Sequence, residues 1–139
     1  MTNEEELSRY MVLIEQCKEQ INSLEQQSSY IQAAILDYNK AKITLENIHS
    51  SKNDSDILVP IGGNTFIHAK TTDISKVLFN VGAGIITEKK PTDVIKKIDE
   101  KIEELQKSQE RVVALIQNIE NQANEASEKA QKLLNDEKK

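Results

Sequence analysis

Apolar positions along this chain follow two periods. Over the first fifty residues they recur every seven. One row reads Leu7, Ile14, Ile21, Ser28, Ile35, Lys42, His49, and the row three residues on reads Tyr10, Cys17, Leu24, Ile31, Tyr38, Leu45. The C-terminal segment repeats the plan. Ile95, Ile102, Gln109, Ile116, Ala123, Ala130 form one row, and Ile98, Leu105, Val112, Ile119, Ala126, Leu133 the other. A heptad pattern sustained this long predicts left-handed coiled-coil helices, over about residues 4–50 and 92–136. Neither segment contains Gly or Pro. Thr2 or Asn3 can cap the first helix, with Glu4, Glu5 and Glu6 where the helix dipole favours negative charge. Pro91, Thr92 and Asp93 are start signals for the second helix, and Lys138 and Lys139 suit its end.

Equal lengths around a compact insert predict one antiparallel hairpin of helices. In that arrangement residue i faces roughly residue 143–145 minus i. Tyr10 then meets Leu133, and Lys42 falls near Glu100 and Glu103. The same rows also suit two helices that each pair with another chain.

The insert has the other period. Residues 57–87 hold only three charged side chains, Lys70, Asp73 and Lys76, and they contain all four glycines and both phenylalanines. After the polar linker SSKNDSD (50–56) come ILVPI, Gly-Gly-Asn and TFIHA; after TTDIS (71–75) come VLFNV, Gly-Ala-Gly and IITE. Gly63-Asn64 or Gly62-Gly63 can take the positive φ angles of a tight turn. The insert reads as two β-hairpins over about residues 57–89, with Pro60 arguing for an edge strand or a bulge. Each hairpin carries apolar residues on both faces, and an isolated hairpin is marginal in water. The candidate interface with other subunits is therefore Ile57, Val59, Ile61, Phe66, Ile67, Val77, Phe79, Val81, Ile85 and Ile86. Closing a barrel-like sheet across chains would remove their exposed edges.

Composition narrows the function. The 139 residues are read as one domain, 37% hydrophobic and 4% aromatic, with no Trp. That is thin for a large globular core and ordinary for paired helices that bury one stripe each. The net charge is −5, with Lys and Glu interspersed, so no basic footprint for nucleic acid is present. No apolar run spans a membrane, and the start MTNEEELSRY is not a signal peptide. With Cys17 the lone cysteine, a cytoplasmic protein is expected. Catalysis is not expected. Gly82-Ala83-Gly84 lacks the third glycine and following helix of a phosphate loop. His49 and His68 are isolated, Asp54 and Asp56 belong to no calcium loop, and no nucleophile–base pair is visible. Cys17 is a small seam residue, and Lys42 marks register.

A long helix, LVPIGGNTFIHA, a short link, VLFNVGAGIITEKK and a second long helix resemble the α-class subunit of prefoldin, in its short archaeal form. The likeness covers the whole chain in architecture and residues 57–90 in motif. It implies a mainly α fold, a coiled-coil hairpin whose two β-hairpins join other subunits in a double β-barrel platform. It further implies a hexamer of two α and four β subunits and an ATP-independent chaperone. Unfolded clients would be held between six arm tips and passed to a group II chaperonin. No cofactor or metal is implied.

A holdase needs accessible apolar surface without a partner of its own. The run Tyr10, Met11, Val12, Leu13, Ile14 exceeds what the seam uses. The expected client site is Leu7, Tyr10, Met11, Val12 and Leu13, facing Ala130, Leu133 and Leu134. The exchange of Ile116 and Ile119 for Ala123, Ala126 and Ala130 predicts a looser distal seam that can splay. The alternatives are close helix approach at Ala and a run of scattered surface residues. A second off-seam cluster, Ala33, Ala34 and Leu36 near Val113 and Leu115, would line a cavity or widen the helix contact. The competing function is a coiled-coil scaffold that binds one folded partner.

Overall fold

The structure, a computed structural model, describes residues 2–50 and 53–137, with every side chain among these except those of His49 and Ser50. The expectations for His49, for Ser50, Ser51 and Lys52 of the linker, and for Lys138 and Lys139 fall outside what is described. The order of elements is α1 (Asn3–Ser50), β1 (Asp56–Gly62), β2 (Thr65–Lys70), β3 (Val77–Gly82), β4 (Ile85–Lys89) and α2 (Pro91–Glu137). Contacts divide the chain into two compact units, Met1–Ala34 with Leu105–Lys139, and Ile35–Glu104. Both helices run through both units, and the second also holds the strands.

Thr2, not Asn3, caps α1. The Glu5 amide donates to Thr2 Oγ1 at 3.2 Å, and the Thr2 amide donates back to Glu5 Oε2 at 3.3 Å. This reciprocal box satisfies donors that the first turn leaves open. At the start of α2 the Lys90 carbonyl accepts from the Asp93 and Val94 amides at 3.0 and 3.1 Å. Pro91 sits at the first helical position, where its missing N–H costs nothing.

In the first unit the heptad rows become the interior. Leu7, Tyr10, Ile14, Ile21, Leu24, Ile31, Leu105, Ile116, Ile119, Ala123 and Leu133 are half-buried, and Val112, Ala126 and Ala130 are buried. Cys17, at 2% exposure, is buried furthest. At Ala123, Ala126 and Ala130, where a looser seam is expected, the side chains are half-buried or buried. Ala126 and Ala130, at 3% and 8% exposure, are out of water in this seam. The two polar breaks of this unit meet each other: Gln109 Nε2 donates to Ser28 Oγ at 2.6 Å. Gln109 Oε1 is buried with no hydrogen-bond partner.

In the second unit Val94, Ile98 and Ile102 of α2 form the buried core, packed by Ile35, Tyr38 and Leu45 of α1 and by Val77 and Phe79 of β3. Lys42 reaches Asp99, with Nζ 2.7 Å from Oδ1. That bond, more than the added field of Glu46, holds the ammonium above the usual lysine range. The expected neighbours were Glu100 and Glu103. Asp99 directly follows the seam residue Ile98 and flanks α1, whereas heptad positions 100 and 103 point away from the partner helix. The residue numbers of Ser28 and Gln109 add to 137 and those of Lys42 and Asp99 to 141, so the helices pair at a lower register than 143–145. In that register Tyr10 lies nearer Ala130 than Leu133.

The strands form two separate two-stranded antiparallel sheets, β1 with β2 and β3 with β4. Ile57 pairs with Ala69, Leu58 with His68, Val59 with Ile67, Pro60 with Phe66 and Gly62 with Thr65. Adding 20 to each number gives the second hairpin: Val77 with Lys89, Leu78 with Glu88, Phe79 with Thr87, Asn80 with Ile86, Gly82 with Ile85. Each has its irregularity at the same step, Pro60/Gly62 and Asn80/Gly82. The insert is a tandem structural repeat. Each turn is two residues long with positive φ at both, 55° and 58° at Gly63-Asn64 and 53° and 75° at Ala83-Gly84. This choice settles the first turn on Gly63-Asn64. Positive φ at both positions matches the strand twist of a tight hairpin. At 117°, Gly82 is further from what a side chain tolerates. The amide of Gly82 donates to Asn80 Oδ1 at 2.9 Å, fixing the bend.

The links are tied together by polar bonds. Asp54 N donates to Thr71 O at 2.9 Å and Thr71 N to Ser55 O at 3.0 Å. Ile74 N donates to Asn53 Oδ1 at 3.2 Å. The Ser75 hydroxyl and amide both donate to Asp73, holding its carboxyl below the usual range.

Replacing Ser28 by Ala strands the Gln109 amide in the seam. Chemical denaturation should show a loss of about 1–3 kcal/mol, the cost of an unpaired buried polar group. Replacing both Ser28 and Gln109 by Leu should abolish that loss. In the second hairpin, Gly82→Ala meets nothing within 4 Å, so any cost is backbone strain alone, about 1–3 kcal/mol. Ala83→Gly should instead raise the thermal midpoint, since Ala sits where Gly is favoured.

Candidate functional site

Two surfaces carry exposed apolar groups in excess. The first is on the hairpins. Strand alternation places Ile57 and Val59 half-buried and Leu58 exposed, and in the second hairpin Val77 and Phe79 half-buried and Leu78 exposed. Val77 and Phe79 pack on the helical core of their own chain. Both are half-buried, so one face of β3 lies against Val94, Ile98 and Ile102. Leu58 and Leu78 are 59% and 71% exposed. Sequence reasoning saw apolar residues on both faces but could not say which face the helix would cover. Ile61, Phe66, Ile67, Val81, Ile85 and Ile86 are exposed as expected. They cluster at the turn ends, and every strand has one unpaired edge. Large apolar side chains beside open edges form a template for further strands.

The second surface lies in the first unit. Met11, at 62% exposure, with Val12 and Leu13, is accessible, and so is Leu134. Leu7, Tyr10 and Leu133 are half-buried in the seam. Ala130 is buried and cannot touch a client from this conformation. Of the off-seam cluster, Leu36, Val113 and Leu115 are exposed and Ala34 is half-buried. Tyr30 is exposed as well, a ring the heptad reading passed over because it lies outside both rows. Among the described residues no group of three or more His, Cys, Asp or Glu gathers as metal ligands. No described helix is long and apolar enough to cross a membrane.

Two long heptad helices, two tandem hairpins and open strand edges form a known arrangement. A family model described as prefoldin subunit matches residues 17–136. The chain belongs to the prefoldin family. Prefoldin subunit alpha of Methanococcoides burtonii is 32% identical over 111 residues, 80% of each chain. That of Methanococcus maripaludis, strain S2, is 31% identical over 108 residues, 78% of this chain and 73% of the relative. That of Nitrosopumilus maritimus is 39% identical over 71 residues, half of this chain and 49% of the relative. The prefoldin fold is shared with filamentous PFD from Methanocaldococcus jannaschii, solved by cryo-electron microscopy. The TM-score is 0.72 at 20% identity, covering 81% of this chain and 93% of that one. Prefoldin is a chaperone family, and the relatives of this chain are archaeal α subunits.

In this prefoldin chain, Leu58→Lys together with Leu78→Lys should stop assembly while leaving the subunit folded, since both side chains already face water. Sedimentation velocity of the subunit with its partners checks this. The matching pair Val77→Lys with Phe79→Lys should unfold the base of the helices, seen as lost helical circular dichroism on mild heating.

Proposed function

We infer that this chain is the α-type subunit of an ATP-independent holdase. It assembles through its hairpins with prefoldin β subunits, two α with four β, in the cytoplasm. The assembly holds unfolded or nascent chains at the ends of its helices and passes them to a group II chaperonin. The observation that carries the reading is the exposed run Met11-Val12-Leu13 with Leu134, next to a seam that already has its full apolar complement. Such a patch loses free energy to water at roughly 25 cal/mol per Å² until something covers it. Met at its centre adapts to clients of many shapes. No nucleotide takes part, so capture rests on burial alone.

The test is aggregation of a chemically unfolded protein diluted into buffer with the purified assembly and no ATP. Suppression near one assembly per client is expected. Changing Met11, Val12 and Leu13 to Ser should remove most of it with assembly size unchanged. Unaltered suppression by the triple variant would move the client site elsewhere. An intact assembly that never suppresses aggregation would instead favour a scaffold for one folded partner.

A further inference from the structure

Within the second unit a cleft of about 310 Å³ opens between the second hairpin and the helices. Its floor is apolar. Tyr38 of α1 and Phe79 of β3 line it, both half-buried against Val94, Ile98 and Ile102, and Val81 stands beside them. Its rim is cationic. Lys97 and Lys101, one turn apart on α2, are both exposed, and no carboxylate lines the cleft. Lys101 Nζ lies 3.6 Å from Glu104 Oε2, with both side chains at least half exposed, so water screens that contact. Among the described residues no carboxylate stands within ion-pair distance of Lys97. Asn80 adds to the lining. Its Oδ1 already accepts from the Gly82 amide at 2.9 Å, which leaves its amide N–H groups for donation. The surroundings carry the same sign. From Lys89 to Lys101 the sequence holds five lysines against Asp93, Asp99 and Glu100, in a chain of net charge −5. Of those three carboxylates, Asp99 is held by Lys42 at 2.7 Å.

We propose that this cleft binds an acidic peptide segment in which a large apolar side chain stands beside Asp or Glu. The site belongs to the second unit, whereas Met11, Val12 and Leu13 belong to the first, so it is a binding site additional to the client run. The apolar side chain covers the rings of Tyr38 and Phe79, which the core holds in place. The neighbouring carboxylate takes charge-assisted hydrogen bonds from Lys97 and Lys101. A purely apolar segment would strip water from two ammoniums and return nothing to them. A bare anion would leave the rings and Val81 uncovered. The volume is at the lower end of ligand pockets, roughly 300–1,000 Å³, so the cleft takes one or two side chains and not a large cofactor.

The experiment is isothermal titration of the purified assembly with a blocked peptide of alternating Glu and Phe, at pH 7 and low salt. Binding is expected, and it should weaken several-fold in about 0.3 M salt, since partly exposed charges are screened. Lys97→Gln with Lys101→Gln should weaken it about tenfold, as the loss of two partly exposed charge contacts implies. Removing the same charge outside the cleft, with Lys90→Gln and Lys96→Gln, should change it less than about twofold. A wild-type assembly that does not bind the peptide overturns the proposal, as does a Lys97/Lys101 variant that binds unchanged. Equal binding of a Lys and Phe peptide would reduce the site to apolar contact and overturn it. Equal binding of a Glu and Ser peptide, or displacement by inorganic phosphate at matching concentration, would reduce it to a bare anion site and overturn it too. Loss of binding on changing Met11, Val12 and Leu13 to Ser would place the peptide on the client run instead. Aggregation suppression is read separately, so the cleft and the holdase reading fail independently.

Discussion

The seam between the helices is the constraint on which everything else depends. Each helix buries one narrow stripe and has no other core, so stability rests on rows of side chains meeting in one register. A slip by a residue would carry the whole row off the contact. Two polar contacts oppose such a slip. Ser28 with Gln109 and Lys42 with Asp99 lie in different units and each fixes the pairing where it stands. An apolar seam alone would tolerate neighbouring registers more readily, because Leu on Ile costs little more than Leu on Leu. Polar partners make the wrong register expensive.

That seam also supplies the ground on which the hairpins stand. Val77 and Phe79 of β3 pack against Val94, Ile98 and Ile102, so one face of the second hairpin is held by its own chain. The outer face of that hairpin and the strand edges are exposed. The division is economical in residues: a strand of alternating apolar side chains serves the intramolecular core on one side and presents an apolar surface to solvent on the other. Within the first unit the small seam residues Cys17, Ala126 and Ala130 are buried and larger apolar groups lie outside. Met11, Val12 and Leu13 lie between the seam positions Tyr10 and Ile14 and face solvent.

Much of this was legible in the residues. Heptad rows carry their own period, and every described seam position is buried or half-buried. Glycine-rich turns between short apolar runs located both hairpins. Two things were not legible. The inward face of β1 and β3 depends on which face the helices cover, and Ile57-Leu58-Val59 is apolar on both. The pairing register depends on which polar seam residues meet, and a heptad repeat is satisfied equally well one step along. Likewise, Ala in a seam reads as weak packing until its burial is known. The run Met11-Val12-Leu13 stands out in the sequence as surplus hydrophobicity and is exposed, while Ala130, a seam position expected to face it, is buried.

The turns differ in one residue with a consequence for timing. Gly63-Asn64 holds two residues that enter positive φ readily, so the first hairpin is close to its final shape before anything else forms. The second must push Ala83 to a φ of 53°, a conformation an alanine chain seldom samples. Hairpins close in microseconds when their turn is prepared. The second therefore waits for help, and the help available is the docking of Val77 and Phe79 on α2. Because α2 follows both hairpins in the chain, the two hairpins mature in order. The first hairpin is ready early, and the second only once the C-terminal helix has come back along its partner.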